Sequence, residues 1–233
     1  MDVNTSVTPS LHPGNITGLD GYDETTADAV ADVVSAFETA YEGLTNIHLA
    51  RQAAKQNPAL TEAAQILVVA DYAEKHFKKI TARLDTAEAR MQKSIADGER
   101  QLSQPLESGA VGGYTAEIRA HMKGLKETER VAFMNEAIRA GDSKTISAVL
   151  GAPPFLSGIS PVERDMLTRT FHERANPTLA KRLALMKTAQ TLMGERGGLV
   201  VSEIDKAIGA SSKQVANLRA ARAKAEKAYT FTA

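Results

Sequence analysis

Apolar residues recur at alternating steps of three and four through most of the chain, which places them on one face of an α-helix. A first apolar stripe runs from residue 26 to 56, and a second stripe from residue 63 to 91 approaches heptad spacing. Heptad spacing favours helices that pack side by side at a shallow angle, as in a coiled coil. We therefore expect a long antiparallel hairpin held by Val30, Phe37, Leu44, Phe77, Ile80 and Leu84.

The turn between the two stripes is indicated by Asn57 and Pro58. Asn can cap a helix N-terminus, and Pro in the first helical turn loses no intrahelical hydrogen bond, so the second helix is predicted to start there. A hairpin alone cannot bury all of its apolar residues, so a third surface is expected from the C-terminal half or from another subunit. The residues that need this surface are Leu49, Leu67, Val68, Val69 and Tyr72.

Signals for short helices fill the second half of the chain. Residues 103–113 contain one Pro and three Gly without periodicity and form the predicted linker. Beyond it, Asp142 is expected to cap one helix, Ser160 and Glu163 to form a capping box for another, and Asn176 to start a third. No alternating pattern of strand length is present. The sequence therefore predicts an all-α fold, in which the long N-terminal antiparallel helical hairpin is followed by a bundle of short helices.

These patterns divide the chain into five predicted parts. They are an extended acidic arm (1–24), the long helical hairpin (25–102), the linker (103–113), a helical bundle (114–199), and a C-terminal helical hairpin with a tail (200–233). The arm is rich in Gly, Pro, Thr and Asn and has no periodic apolar face. It is therefore expected to be flexible unless another surface holds it.

Charge is distributed unevenly along a chain whose formal net charge is zero. The first 50 residues contain eight acidic residues and no Lys or Arg, which leaves 28 basic and 20 acidic residues from Arg51 onward. The acidic segment can be neutralised by the basic part of the same chain or by that of a neighbouring copy. A zero net charge is not typical of a protein held by bulk attraction to nucleic acid or to anionic lipid.

No segment or motif indicates membrane insertion, secretion or catalysis. The longest apolar runs are far shorter than the ~20 residues of a membrane-spanning helix, and the N-terminus lacks the features of a secretory signal. The absence of cysteine excludes disulfides and thiolate sites, so a reducing compartment is expected. The five histidines have no second ligand at helical spacing, and His48 and His76 are interpreted as packing or surface residues. Without a phosphate-binding glycine motif or a nucleophile elbow, we expect no metal, no cofactor, no small-molecule substrate and no enzymatic activity.

Residues 200–227 resemble a helix-turn-helix. The positions for its core and turn are occupied by Ile204, Ile208, Gly209, Val215 and Leu218. Asp205 departs from the motif, in which a small residue lets the two helices approach each other. DNA binding is therefore an alternative function. The side chains that would contact nucleic acid are Lys213, Gln214, Asn217, Arg219, Arg222 and Lys224.

Residues 137–163, AIRAGDSKTISAVLGAPPFLSGISPVE, resemble a pattern of uncharacterised helical proteins encoded among the structural genes of tailed phages and prophages. The likeness spans roughly residues 115–195. It implies no catalytic or ligand residues, only a context, which is a virion component or a protein used to build one. A neutral helical chain with a long amphipathic hairpin and an oppositely charged arm fits a protein whose role is to contact other proteins.

The leading hypothesis is a non-enzymatic structural protein of a tailed-phage virion, in the head or at the head-to-tail connection. Multiple copies are expected to assemble through the helical hairpin and the acidic arm, in the cytoplasm of the bacterial host. The expected partners are other copies of the chain and other virion proteins, with possible DNA contact and no membrane. A scaffold or assembly chaperone is a further alternative, which differs from the first hypothesis in leaving the particle before maturation.

Overall fold

The computed structural model describes residues 6–107 and 114–228, in which all regular structure is helical and no strand occurs. The α-helices are α1 (Gly14–Thr17), α2 (Ala31–Gln56), α3 (Glu62–Leu102), α4 (Thr115–Gly124), α5 (Glu127–Ala140), α6 (Ser143–Leu150), α7 (Pro161–Ala175), α8 (Pro177–Gly197), α9 (Leu199–Ile208) and α10 (Ser212–Lys227). Short 3₁₀ turns occupy Pro9–Leu11, Ala27–Val30 and Pro154–Leu156. The prediction of an all-α chain is confirmed. Residues 108–113 of the predicted linker lie outside the described residues.

The chain forms two compact units. Unit 1 contains the described residues of Met1–Gln92 and Leu185–Ala233, and unit 2 those of Lys93–Ala184. Helices α3 and α8 therefore contribute residues to both units. In the part of the chain that the structure describes, no helix is both long enough and apolar enough to cross a membrane.

Helix α2 lies at the centre of unit 1, where it packs against α9 and against the short helical elements of residues 6–30. Its residues Phe37, Leu44 and Ile47 are fully buried. A Cβ atom on Gly43 would lie only 2.9 Å from Cδ1 of Ile80 on α3, so the missing side chain makes room for Ile80.

The residues expected to pack the first two long helices against each other differ in their burial. Val30, Phe37, Leu44 and Ile80 are buried, whereas Phe77 and Leu84 are partly buried. The residues expected to need a third surface also divide into two groups. Leu67 and Val69 are buried, and Leu49, Val68 and Tyr72 remain exposed.

Residues 6–26 form turns and short helices within unit 1 and not the expected extended arm. Val7, Leu11 and Ile16 are buried in the core, with Ile16 showing 0% exposure. The Asn15 side chain donates hydrogen bonds to the carbonyl oxygens of Pro9 (2.7 Å) and His12 (2.8 Å). The expectation of an extended arm was wrong because Gly, Pro, Thr and Asn also form turns, and these turns let apolar residues without helical spacing reach the core.

Polar contacts attach this N-terminal segment to the C-terminal helices of unit 1. Arg196 of α8 donates a hydrogen bond to the carbonyl oxygen of Ser10 at 3.0 Å. The backbone amide of Thr8 donates to the carboxylate of Glu203 on α9 at 3.3 Å. Glu203 is itself buried and also pairs with Lys206. Ser10 and Thr8 are therefore bound by their own chain.

In unit 2, helices α6 and α7 begin at the capping residues that the sequence predicts. The Asp142 side chain accepts hydrogen bonds from the backbone amides of Lys144 and Thr145 at 3.2 Å each and thereby caps α6. The hydroxyl of Ser160 accepts from the amide of Glu163 at 3.1 Å, and the Glu163 carboxylate accepts from the amide of Ser160 at 2.6 Å. This reciprocal capping box starts α7 as predicted.

The expected helix start at Asn57 and Pro58 is wrong. The Asn57 side chain accepts a hydrogen bond from the amide of Ala59 at 3.0 Å, and its carbonyl oxygen accepts from the amide of Leu60 at 3.3 Å. These bonds close a turn, and α3 begins only at Glu62. Asn at this position therefore forms a local turn, an arrangement that competes with helix capping for the same residue type.

The core of unit 2 lies among α4, α5, α6 and α7. Met122, Met134, Val149 and Leu167 are fully buried there and come from these four helices in turn. Unit 2 thus has a hydrophobic core of its own, built from helices that follow one another closely in the chain.

Asp32 on α2 links the acidic first part of the chain to the basic remainder. It accepts hydrogen bonds from Arg83 at 2.9 Å and from Arg90 at 3.1 Å, both on α3. The bond from Arg90, with a smaller contribution from Arg83, lowers the pKa of the Asp32 carboxyl below its usual 3.8. At this position the charge asymmetry is neutralised within one chain.

We expect Asp32→Asn to reduce the stability of unit 1 at neutral pH by about 0.5–1 kcal/mol, since the pair is partly exposed and screened by solvent. Because the pKa is lower in the folded state, the stabilisation is complete above about pH 5 and is lost as the pH falls through the folded value. Urea denaturation of both proteins at several pH values measures this. Asp20→Asn, at an exposed position, is the control. If the stability difference between the wild type and Asp32→Asn grows as the pH falls below 4, the pKa of Asp32 is not lowered in the folded state.

Candidate interaction surfaces

Helices α9 and α10 form a capped pair, with the turn at Gly209 as predicted. Gly209 adopts a left-handed conformation with φ of +79°, which few other residues adopt without strain. The hydroxyl of Ser211 accepts a hydrogen bond from the amide of Gln214 at 3.2 Å and caps α10. The apolar side chains of this pair that are buried in unit 1 include Ile204, Ile208 and Val215.

Asp205, the residue that departs from the helix-turn-helix pattern, connects the two helices. Its Oδ1 accepts a hydrogen bond from the Ser212 hydroxyl at 2.8 Å, and its Oδ2 accepts from the Ser212 amide at 3.3 Å. The carboxylate thus binds the first turn of α10, where a negative charge is also favoured by the helix dipole. The bonds to Ser212 therefore explain why Asp occupies a position at which the motif normally has a small residue.

The six residues predicted to contact nucleic acid fall into two groups. Arg219 donates hydrogen bonds to Asp71 at 2.6 Å and to Glu74 at 3.2 Å, both on α3, and these bonds raise its pKa. Arg222 donates to Glu226 at 2.7 Å. The remaining residues are exposed on α10: Lys213, Gln214, Asn217 and Lys224. Two of the expected cationic contacts are therefore already bonded to carboxylates of the same chain.

A groove of about 580 Å³ lies in unit 1 between α3, α9 and α10. Its walls are mainly apolar, with Phe77, Ile204 and Val215 among the lining residues. The ionisable groups that line it are Glu74, Asp205 and Arg219, and each is bonded to another residue of unit 1. The groove therefore offers apolar contact, with Glu74 and Arg219 forming an ion pair and Asp205 bound to Ser212.

Unit 2 carries a second groove, of about 890 Å³, beside an exposed apolar surface. Phe155 follows the groove-lining Pro154, and Val162 and Met166 line the groove from α7. These three residues are 71%, 79% and 48% exposed, respectively, and we call them the α7 surface. Sequence reasoning missed them. The available signal was an aromatic residue in a Pro-rich turn and a Val directly after the first-turn Pro161, positions that lie off the buried helix faces.

Charged groups of both signs line the groove of unit 2. Arg164 donates a hydrogen bond to the adjacent Asp165 at 2.9 Å. Arg169 donates to Glu99 at 2.6 Å and to Glu173 at 2.7 Å, and the bond to Glu99 is the main cause of its raised pKa. The groove is therefore apolar with a rim of paired charges rather than a site of one sign.

The histidines do not form a metal centre in residues 6–107 and 114–228, where no group of three or more possible metal ligands occurs. His48 and His76 are both partly buried. Burial lowers the pKa of His48, with a further effect of Arg51, and burial together with Lys79 lowers the pKa of His76. Both imidazoles therefore favour the neutral form more than an exposed histidine does.

Comparison with known proteins gives no match for this chain. The chain matches no protein-family model, no curated protein and no solved structure.

Proposed function

We propose that this chain is a non-enzymatic structural protein of a tailed-phage particle, present in multiple copies in the head or at the head-to-tail connection. The observation that carries the proposal is the α7 surface, where Val162 and Met166 line an open groove with exposed side chains and Phe155 is exposed in the preceding turn. Large exposed apolar side chains beside a groove are typical of sites of protein contact. Phe155 and Val162 also lie within residues 137–163, on which the resemblance to phage structural proteins rests.

The packing of the long helices supports the same role. Asp32 contacts Arg83 and Arg90, and Gly43, further along α2, contacts Ile80, which is earlier in α3. The order of these contacts supports an antiparallel hairpin. A hairpin fixed by ion pairs and close packing is suited to a stable building block. Because the N-terminal segment is bound to its own chain, the proposed assembly contact is assigned to the α7 surface instead of the arm.

The alternatives differ in how well the geometry supports them. DNA binding is weakened by the intramolecular bonds of Arg219 and Arg222, which a phosphate would have to displace. Catalysis has less support than contact, since Arg219 is paired with Glu74 in the groove of unit 1 and Arg164 with Asp165 in the groove of unit 2. A scaffold or assembly chaperone shares every feature of the proposal, and the composition of the particle distinguishes the two.

Quantitative mass spectrometry of purified particles tests the proposal. The particles are those of the phage or prophage that encodes the chain, and the control is a host protein that the same gradient removes. We expect the chain in washed, mature particles at a fixed ratio to the major shell protein. Its presence only in precursor particles supports the scaffold alternative instead. Its absence from both kinds of particle contradicts a role in the virion.

A further inference from the structure

We infer that the attachment of the N-terminal segment to unit 1 is sensitive to acid, and that protonation of His12 and His48 releases the segment between about pH 7 and about pH 5. The inference goes beyond the proposed function and does not depend on it. It is argued from a hydrogen bond of His12, from two buried imidazole nitrogens without a partner, and from the charges around them.

His12 lies in the first turns of the segment and holds them in its neutral form. Its Nδ1 accepts a hydrogen bond from the amide of Gly14 at 3.0 Å, so Nδ1 carries no proton in this arrangement. The proton of the neutral ring is therefore on Nε2, which is buried and has no hydrogen-bond partner among residues 6–107 and 114–228. The ring packs against Tyr41 of α2 in a T-shaped arrangement, with 5.0 Å between the ring centroids.

Protonation of His12 conflicts with this arrangement at both ring nitrogens. A proton on Nδ1 would face the proton of the Gly14 amide, so the hydrogen bond between them would be lost. The charged ring would also keep Nε2 buried without an acceptor, and a buried charge without a partner is costly. The imidazolium gains water as a partner at Nε2 when the ring leaves its place against Tyr41.

His48 opposes protonation on α2, the helix against which the segment packs. Its Nε2 is also buried, with no partner in the part of the chain that the structure describes. Burial is the main cause that lowers the pKa of His48, the positive charge of Arg51 adds to it, and Glu203 on α9 acts in the opposite direction. Because the pKa is lower in the folded form, unit 1 loses stability as the pH falls through the ordinary histidine value of 6.5.

Glu203 connects the charge of His48 to the attachment of the segment. Its buried carboxylate accepts a hydrogen bond from the Thr8 amide at 3.3 Å and pairs with Lys206. A positive charge on His48 is attracted to Glu203 and competes with the Thr8 amide for the same carboxylate. Loss of the bond to Thr8 detaches the start of the segment from α9.

The charged groups that α2, α8 and α9 place around the attachment include three cations. They are Arg51, Arg196 and Lys206. Arg196 holds the segment directly, since it donates a hydrogen bond to the carbonyl oxygen of Ser10 at 3.0 Å. A positive charge on either histidine therefore adds to a region that is already rich in positive charge, and the resulting repulsion favours release.

Release exposes apolar surface that is covered at neutral pH. Val7, Leu11 and Ile16 are buried in the core, and the short helices that contain Leu11 and Ile16 contact α2. A released segment exposes these side chains together with the part of α2 that they cover. The histidines thus link an acidic environment to a surface that the neutral form does not offer.

Hydrogen exchange of the full chain at several pH values between about 5 and about 7.5 measures the release. This range covers the titration of histidines and lies above that of ordinary carboxyl groups. The amides of Ile16, Gly18 and Leu19 report on the segment, because each donates to a carbonyl oxygen within it. After correction for the intrinsic exchange rate, their protection should fall about 100-fold across the range, about tenfold for each histidine. The amides of α5 and α7 in unit 2 should change by less than about threefold.

His12→Asn and His48→Leu test the two histidines separately. An Asn side chain commonly accepts a hydrogen bond from the amide two residues further on, so His12→Asn keeps an acceptor for Gly14 that gains no proton in this range. His48→Leu replaces the imidazole with an apolar side chain that suits a partly buried helical position. Each variant should remove about tenfold of the acid response, and the double variant should depend little on pH.

His76→Gln is the matched control for these variants. His76 is also a partly buried histidine of unit 1, and its ring packs beside Tyr72 on the same helix, with 4.6 Å between the ring centroids. The segment of His76→Gln should respond to acid like that of the wild type. Circular dichroism at about pH 7.5 checks that each variant is folded, and a variant that is unfolded leaves the other variant and the wild-type profile as tests.

Three results would overturn the inference. They are a wild-type segment whose protection does not change with pH, an acid response that stays complete in the double variant, and a response that disappears in His76→Gln. None of them decides whether the chain is part of a particle, which the composition of purified particles tests separately.

Discussion

Replacing Ile16 with Ala should destabilise unit 1 by about 2–5 kcal/mol, the usual range when a fully buried aliphatic side chain is truncated. Ile16 is completely buried although it lies in a segment rich in turn-forming residues. The expected loss follows from the removed apolar contacts and from the cavity left against the core. Urea denaturation followed by circular dichroism, together with hydrogen exchange of the α2 amides, measures it.

The control for this experiment is Thr17→Ala, since Thr17 is the exposed neighbour of Ile16. It should change stability by no more than about 0.5 kcal/mol, as is usual for surface substitutions. Deletion of residues 2–24 should likewise loosen unit 1 instead of leaving its helices intact. If Ile16→Ala and Thr17→Ala have the same small effect, the N-terminal segment does not contribute to the core.

Replacing Gly209 with Ala should reduce the stability of unit 1 by about 2–4 kcal/mol, through left-handed backbone strain and displacement of an arginine. The backbone at Gly209 has φ of +79°, and an added Cβ would collide with the guanidinium of Arg51. Arg51 donates a hydrogen bond to the carbonyl oxygen of Lys206 at 3.2 Å, near the C-terminal end of α9. The substitution therefore weakens a contact that joins α2 to α9.

A double-mutant cycle with Arg51→Ala separates the two effects at Gly209. In the background that lacks the guanidinium, Gly209→Ala should cost only the backbone strain, about 1–2 kcal/mol. Gly141→Ala provides a second reference, because Gly141 has φ of +71° and no neighbouring atom within 4 Å of an added Cβ. Hydrogen exchange assigns each effect to its own unit. Equal costs of Gly209→Ala with and without Arg51 would show that the collision is not important.

The helices of this chain were largely predictable because their signals are local. The capping box of Ser160 and Glu163 uses residues three positions apart, and it starts α7 in the structure as it does in the sequence. The same reasoning failed at Asn57, where a local turn and a helix cap compete for one residue type. It also failed for the N-terminal segment, whose buried residues lack helical spacing and whose Ser10 and Thr8 bind Arg196 and Glu203, far away in the chain.

The candidate surfaces were less predictable, since they depend on contacts between distant residues. Arg219 was expected to face nucleic acid, but it binds Asp71, which lies 148 residues away in the sequence. The exposure of Phe155 and Val162 depends on how the turn after α6 and the start of α7 fold against the rest of unit 2. Helical periodicity indicates which residues share a face, but it does not indicate which face another helix covers.

Unit 1 combines the first and the last part of the chain, so the order of synthesis affects when it can fold. Helix α2 packs along α9, whose first residue is more than 140 positions after the end of α2. While the ribosome makes the intervening residues, the apolar side of α2 that meets α9 has no native partner, whereas unit 2 can complete its core. Unit 1 can therefore complete its core only after α9 has been synthesised.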